Sequence, residues 1–80
     1  MNGNTEFIVS AYATIGTAKA YCLHYGHGEC EFLPKSQVYL EQKPFGIDNI
    51  TPQVCYFRVP LWLIRRLRGA KFYHTHGVWK

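Results

Sequence analysis

Apolar and polar residues alternate with a period of two over most of the chain, and that period predicts strands. Glu6 to Thr14 (EFIVSAYAT) is rich in β-branched and aromatic types, which favour a pleated, half-buried surface. Ile15-Gly16-Thr17 makes a bend, and Ala18 to Tyr25 reads as a second strand. Gly26-His27-Gly28 supplies the positive φ angles of a tight hairpin, so Glu29 to Leu33 returns as a third strand. With that loop, His24 faces Cys30 across the ladder. Pro34 lacks an amide hydrogen and ends or bulges the strand, with Lys35-Ser36 as a bulge or corner. Gln37 to Gln42 alternates again, Val38 and Leu40 on one side, Gln37, Tyr39 and Glu41 on the other. Lys43 to Gln53 holds two prolines, a glycine and Asp-Asn, and reads as a loop. Val54 to Val59 is the last clear strand, and Ala70 to Lys80 is aromatic enough to add another.

The period changes once. Pro60 suits a first helical position, and Leu61 to Arg68 follow, with Gly69 placed for a left-handed cap. Leu63, Ile64 and Leu67 share one face of this helix, and Arg65 and Arg68 another, with Arg66 beside it. Two turns cannot persist alone, so the helix must pack on the sheet, with Trp62 helping to dock it. The expected fold is mainly β: a small antiparallel curved sheet, or a partly closed five-stranded barrel. One short C-terminal helix over about 60–68 completes it. Residues 1–80 form one small β-barrel-like domain with an aromatic and basic C-terminal end.

Composition sharpens this picture. Hydrophobic residues make up 48% of the chain and charged ones only 18%, which excludes a disordered chain. No apolar run approaches the ~20 residues of a membrane-spanning helix. The opening Met1-Asn2-Gly3-Asn4-Thr5-Glu6 lacks the pattern of a secretory signal, and three cysteines then imply free thiols in a reducing compartment. The expected location is the cytoplasm.

Charge is uneven. Three lysines face five acids before residue 58, whereas Arg58, Arg65, Arg66, Arg68, Lys71 and Lys80 follow with no acid among them. Such an end can meet a phosphate backbone or an acidic protein surface, or simply be solvated. Tyr21, Tyr39 and Tyr56 alternate with polar neighbours and are expected to point outward. With Arg58, Arg65, Arg66, Arg68 and Lys71 they form the candidate partner-binding set.

Chemistry is sparse. Cys22, His24 and Cys30, with His74 or His76 nearby, are the candidate zinc ligands. Their spacing is not a recognised C-x2-C pair, and the alternative is two small buried thiols beside a polar histidine. His74-Thr75-His76 places two imidazoles on one strand face, as a metal idea, a pH-sensitive contact or exposed chain. Ser10 and Ser36 have no flanking glycine elbow, and the acids are too scattered for a carboxylate pair. No nucleophile, base and orienting group can be named together, so no enzyme and no cofactor is expected.

Thr17-Ala18-Lys19-Ala20, Phe32-Leu33-Pro34-Lys35-Ser36-Gln37 and Val59-Pro60-Leu61-Trp62-Leu63 follow one another at a familiar separation. Together they resemble a small domain of phage and plasmid proteins, free-standing or appended to helicase-like chains. The likeness covers residues 17–69. It departs at Phe32, where tryptophan is frequent, and at Ile64 to Gly69, where an acidic–basic–Gly–Leu run is usual. The resemblance implies a small β-barrel-like fold on a mobile element and carries no catalytic residue. From it follow two expectations. One is an anti-CRISPR-type inhibitor that sterically keeps a host defence nuclease or surveillance complex from its target DNA. The other is a single-stranded nucleic-acid-binding accessory of phage or plasmid replication.

Overall fold

A computed structural model describes residues 5–26, 28–42 and 48–78. The expected loop tip at His27, most of the 43–53 loop's first half, and Trp79 and Lys80 lie outside them. Six strands form one antiparallel sheet: β1 (Glu6–Thr14), β2 (Ala20–His24), β3 (Cys30–Pro34), β4 (Tyr39–Gln42), β5 (Gln53–Pro60) and β6 (His74–Val78). The order is β3-β2-β1-β5-β4, and β6 also pairs with β1. The sheet is not closed, so of the two expected shapes the open antiparallel sheet is the one formed, and the expected C-terminal strand is its sixth.

β1 is the organising strand. Along one edge it pairs with β5 from Glu6↔Pro60 to Ala13↔Gln53. Its other edge is divided: β6 takes Phe7 to Ser10 and β2 takes Tyr12 to Thr14. Period two puts Val9, Ala11 and Ala13 on the core side, opposite Phe57 and Cys55 of β5. Leu23, Leu33, Val59 and Phe57 are fully buried around these small residues. Burying such side chains is worth roughly 1.5–3 kcal/mol each, and a chain of this size has few of them. The bend between β1 and β2 needs a glycine, since Gly16 has φ +75° and a Cβ there would meet the Ala20 carbonyl oxygen. Asn49 holds the same residue, accepting from Gly16 N–H at 2.7 Å and donating to its carbonyl at 3.3 Å. The hairpin between β2 and β3 has the expected glycine at positive φ, Gly28 at +75°, and pairs His24 with Cys30.

The helical segment is shorter than the sequence predicts. α1 spans only Leu61–Ile64, after Pro60 in extended conformation. Arg66 and Leu67 donate to Leu63 and Ile64 carbonyls, three residues back, so the chain tightens instead of propagating. Arg68 and Gly69 then donate to Glu31 of β3, which takes the amide hydrogens a second turn would use. Gly69 is not a left-handed cap: its φ is −93° and ψ 12°. Glycine is required there for space, because a Cβ would lie 2.5 Å from the Tyr25 ring. Leu63 and Leu67 are buried as expected, while Trp62 is only half-buried against the core. A 3₁₀ turn over Ala70–Phe72 leads into β6.

Candidate functional site

The acid that shapes the basic end is Glu31. It lies on the core side of β3, opposite Leu23, and is 7% exposed. Its carboxylate accepts from Arg68 N–H at 2.8 Å, Gly69 N–H at 2.7 Å and the Tyr73 hydroxyl at 2.7 Å. Three donors satisfy a group whose burial would otherwise cost several kcal/mol. Burial, followed by the hydrogen bond to Glu31 and that carboxylate's charge, pushes the Tyr73 hydroxyl far above its usual value of about 10.

This anchor folds the chain back so that Arg65, Arg66, Arg68 and Lys71 all face solvent. Arg66 lies 5.7 Å from the Trp62 ring centroid and Lys71 lies 5.3 Å from that of Phe72. Arg68 Nη2 donates to the Cys30 carbonyl at 3.3 Å. Among the described residues, none of the four pairs with a carboxylate. Large rings stand exposed in the same molecule: Tyr12, Phe32, Tyr39 and Phe72, each more than half accessible.

The other expected partner residues divide. Arg58 is engaged within the sheet, with Nη2 2.8 Å from Glu41, Nη1 4.0 Å from Glu6 and the Tyr39 ring 4.7 Å from its guanidinium carbon. Tyr39 is exposed, and Tyr56 is half-buried with its ring 5.2 Å from His76. Tyr21 is not outward. It pairs with Leu33 on the core side, with its ring 5.1 Å from Phe57, and burial raises its pKa first, with Cys55 adding to the effect.

Cys22, His24 and Cys30 do share the solvent side of the β2–β3 hairpin. His24 Nε2 lies 3.1 Å from Thr14 Oγ1. The Cys22 thiol is raised by burial, then by its hydrogen bond to Cys30. Among the described residues no three His, Cys, Asp or Glu side chains are grouped to hold a metal ion. The pattern also hid a pair: Ser10 Oγ lies 2.8 Å from His76 Nε2, and the His76 ring is 4.3 Å from that of His74. A hydroxyl and an imidazole can exchange a proton, but no described carboxylate orients His76. Bringing Ser10 to His76 needs the β1–β6 register, in which Ser10 lies opposite His74, and the separate segments do not carry it.

A cleft opens on this side where β1 changes partner. β2 ends at His24 opposite Tyr12, and β6 begins at His74 opposite Ser10, so neither strand places a residue opposite Ala11. Two adjoining hollows lie there, of about 190 Å³ and about 500 Å³, and Tyr12, His24 and Phe72 line both.

Comparison with known proteins gives no match to a family model, a curated protein or a solved structure. Among the described residues no helix is long and apolar enough to cross a membrane.

Proposed function

We propose that this chain is a non-enzymatic binding protein of a mobile element, cytoplasmic in its host, that inhibits a host defence complex in the anti-CRISPR manner. Arg65, Arg66, Arg68 and Lys71 dock on the surface of a nuclease or surveillance subunit that receives DNA, and Phe72, beside Lys71, adds an exposed ring to the contact. Target DNA is then excluded sterically. One observation carries this reading: four exposed cations on one buried anchor, with no described carboxylate against them and the exposed Phe72 ring beside Lys71. Uncompensated charge accelerates encounter with an opposite surface, and aromatic residues supply most of the energy once water is excluded. The resemblance of the LPKSQ and VPLWL segments to phage and plasmid domains supports the mobile-element setting.

The test is target-DNA binding by purified CRISPR surveillance complexes and nucleases, with and without the chain. Loss of DNA binding that the wild type causes and a variant with Arg65, Arg66 and Arg68 replaced by glutamate does not is the expected result. Inhibition of none of them, with sub-micromolar binding of free single strands at physiological salt, would reject it for the replication accessory. The four exposed rings favour that second reading, because bases stack on such rings while lysine and arginine track the phosphates.

A further inference from the structure

The cleft where β2 ends and β6 begins is lined by rings and not by the arginines, so its chemistry is different. Two exposed rings line it, Tyr12 and Phe72, 57% and 62% accessible. Phe72 is steadied by Tyr25, whose ring stacks on it at 6.0 Å and 23°. The floor is made of small residues, Ser10 and Ala11, because the strands on that edge leave Ala11 unopposed. Two polar groups at the wall are unspent: the Tyr12 hydroxyl and the His74 ring nitrogens have no hydrogen-bond partner among the described residues. Lys71 stands beside Phe72 with its ammonium 5.3 Å from the ring centroid.

We infer that this cleft binds one unpaired base of a single-stranded nucleic acid. The hollow of about 500 Å³, lined by Tyr12, His24, Tyr25 and Phe72, is within the ~300–1,000 Å³ of small-molecule clefts, and Ser10, Ala11 and His74 line the adjoining hollow of about 190 Å³. An aromatic wall offers a base its π-face, the tyrosine hydroxyl and an imidazole offer its edge a donor and an acceptor, and Lys71 meets the adjoining phosphate. An acidic peptide would satisfy the lysine but leave the ring walls without a planar partner. The inference goes beyond inhibition and does not depend on it. A protein that covers a defence complex can hold a base of that complex's exposed strand in this cleft.

The test is titration of the full chain, at low salt, with three probes followed by NMR. They are a thymidine pentamer, the same pentamer abasic at every position, and thymidine monophosphate. The expected result is saturable shifts at Tyr12, His24, Phe72 and His74, with the pentamer binding about tenfold or more tighter than the abasic strand. The monophosphate should move the same signals more weakly. Tyr12→Ala and Phe72→Leu should each weaken the pentamer about tenfold, in line with the loss of one base-stacking contact. Their melting curves should stay near wild type, since both rings are exposed. Equal binding of the abasic strand, a monophosphate as tight as the pentamer, or an acidic peptide that moves the same signals more tightly would each overturn the site. Tyr12→Ala separates the two proposals: it should weaken the pentamer while inhibition, which rests on the arginines of the basic turn, persists.

Discussion

Arg58 lies on the solvent side of β5 with Glu41 at 2.8 Å, Glu6 at 4.0 Å and a tyrosine ring against its guanidinium. A few residues on, Arg65, Arg66, Arg68 and Lys71 stand in solvent without a described carboxylate. Both groups belong to one acid-free stretch of sequence. The difference comes from what each segment packs beside. β5 lies between β1 and β4, which bring acids from positions 6 and 41 alongside Arg58. The turn after α1 lies over β3, where the acid within reach, Glu31, points inward and accepts from backbone amides instead of from side-chain cations. Net charge in a sequence therefore overstates one part of the surface and describes the other well.

The largest test of this contrast is Glu31. Glu31→Ala leaves the Arg68 and Gly69 amides and the Tyr73 hydroxyl without their acceptor. The expected loss is about 3–5 kcal/mol, read from urea unfolding, and much of a domain's stability at this size. A loss below about 1 kcal/mol would mean that the basic turn is not held as described. Next is Gly69→Ala. Its Cβ would press the Tyr25 ring, at a cost of roughly 1–3 kcal/mol, and should shift Tyr25 and Phe72 signals together.

The same anchor predicts a pH response. A tyrosine whose folded pKa is raised stabilises the fold fully below its unfolded value of about 10 and loses that contribution as pH rises beyond it. The melting temperature should fall from pH 9 to pH 11. Tyr73→Phe should flatten that fall while lowering stability at neutral pH by about 1 kcal/mol. Tyr21, also raised, leaves a smaller slope. An unchanged slope in Tyr73→Phe would contradict the coupling to Glu31.

How much of this the sequence disclosed depends on the range of the forces involved. The alternation of β1 and β5 follows from local period, as do the hairpin glycine at 28 and the facing of His24 and Cys30. The length of the helix was not legible, because an acid thirty-seven residues earlier takes the amide of Arg68. Tyr21 was readable in principle. It shares the parity of Leu23, and that apolar residue two positions on fixes its face. Glu31 shares the parity of Leu33 in the same way, yet an acid on an apolar face has no local explanation until its three donors are in view. Of the candidate site, the arginines could be named from their clustering, but Arg58 could not be separated from them without the strand order. The cleft depends entirely on two strands sharing one edge of β1, and no local pattern encodes that.

Arg58→Ala should cost about 1 kcal/mol, as a half-buried pair with a second acid and a ring nearby. Replacing Arg65 or Arg66 by alanine should cost less than about 0.5 kcal/mol, since exposed side chains away from special features seldom matter to folding.

The most direct measurement is a paired one: inhibition of target-DNA binding by a defence complex, and thermal stability, for Arg58→Ala and for Arg65/Arg66/Arg68→Glu. The prediction is a crossing. Arg58→Ala melts lower and still inhibits, and the triple variant melts near wild type and no longer inhibits, chiefly through slower association. If Arg58→Ala abolished inhibition at unchanged stability while the triple variant retained it, the working surface would be the sheet face and not the basic turn.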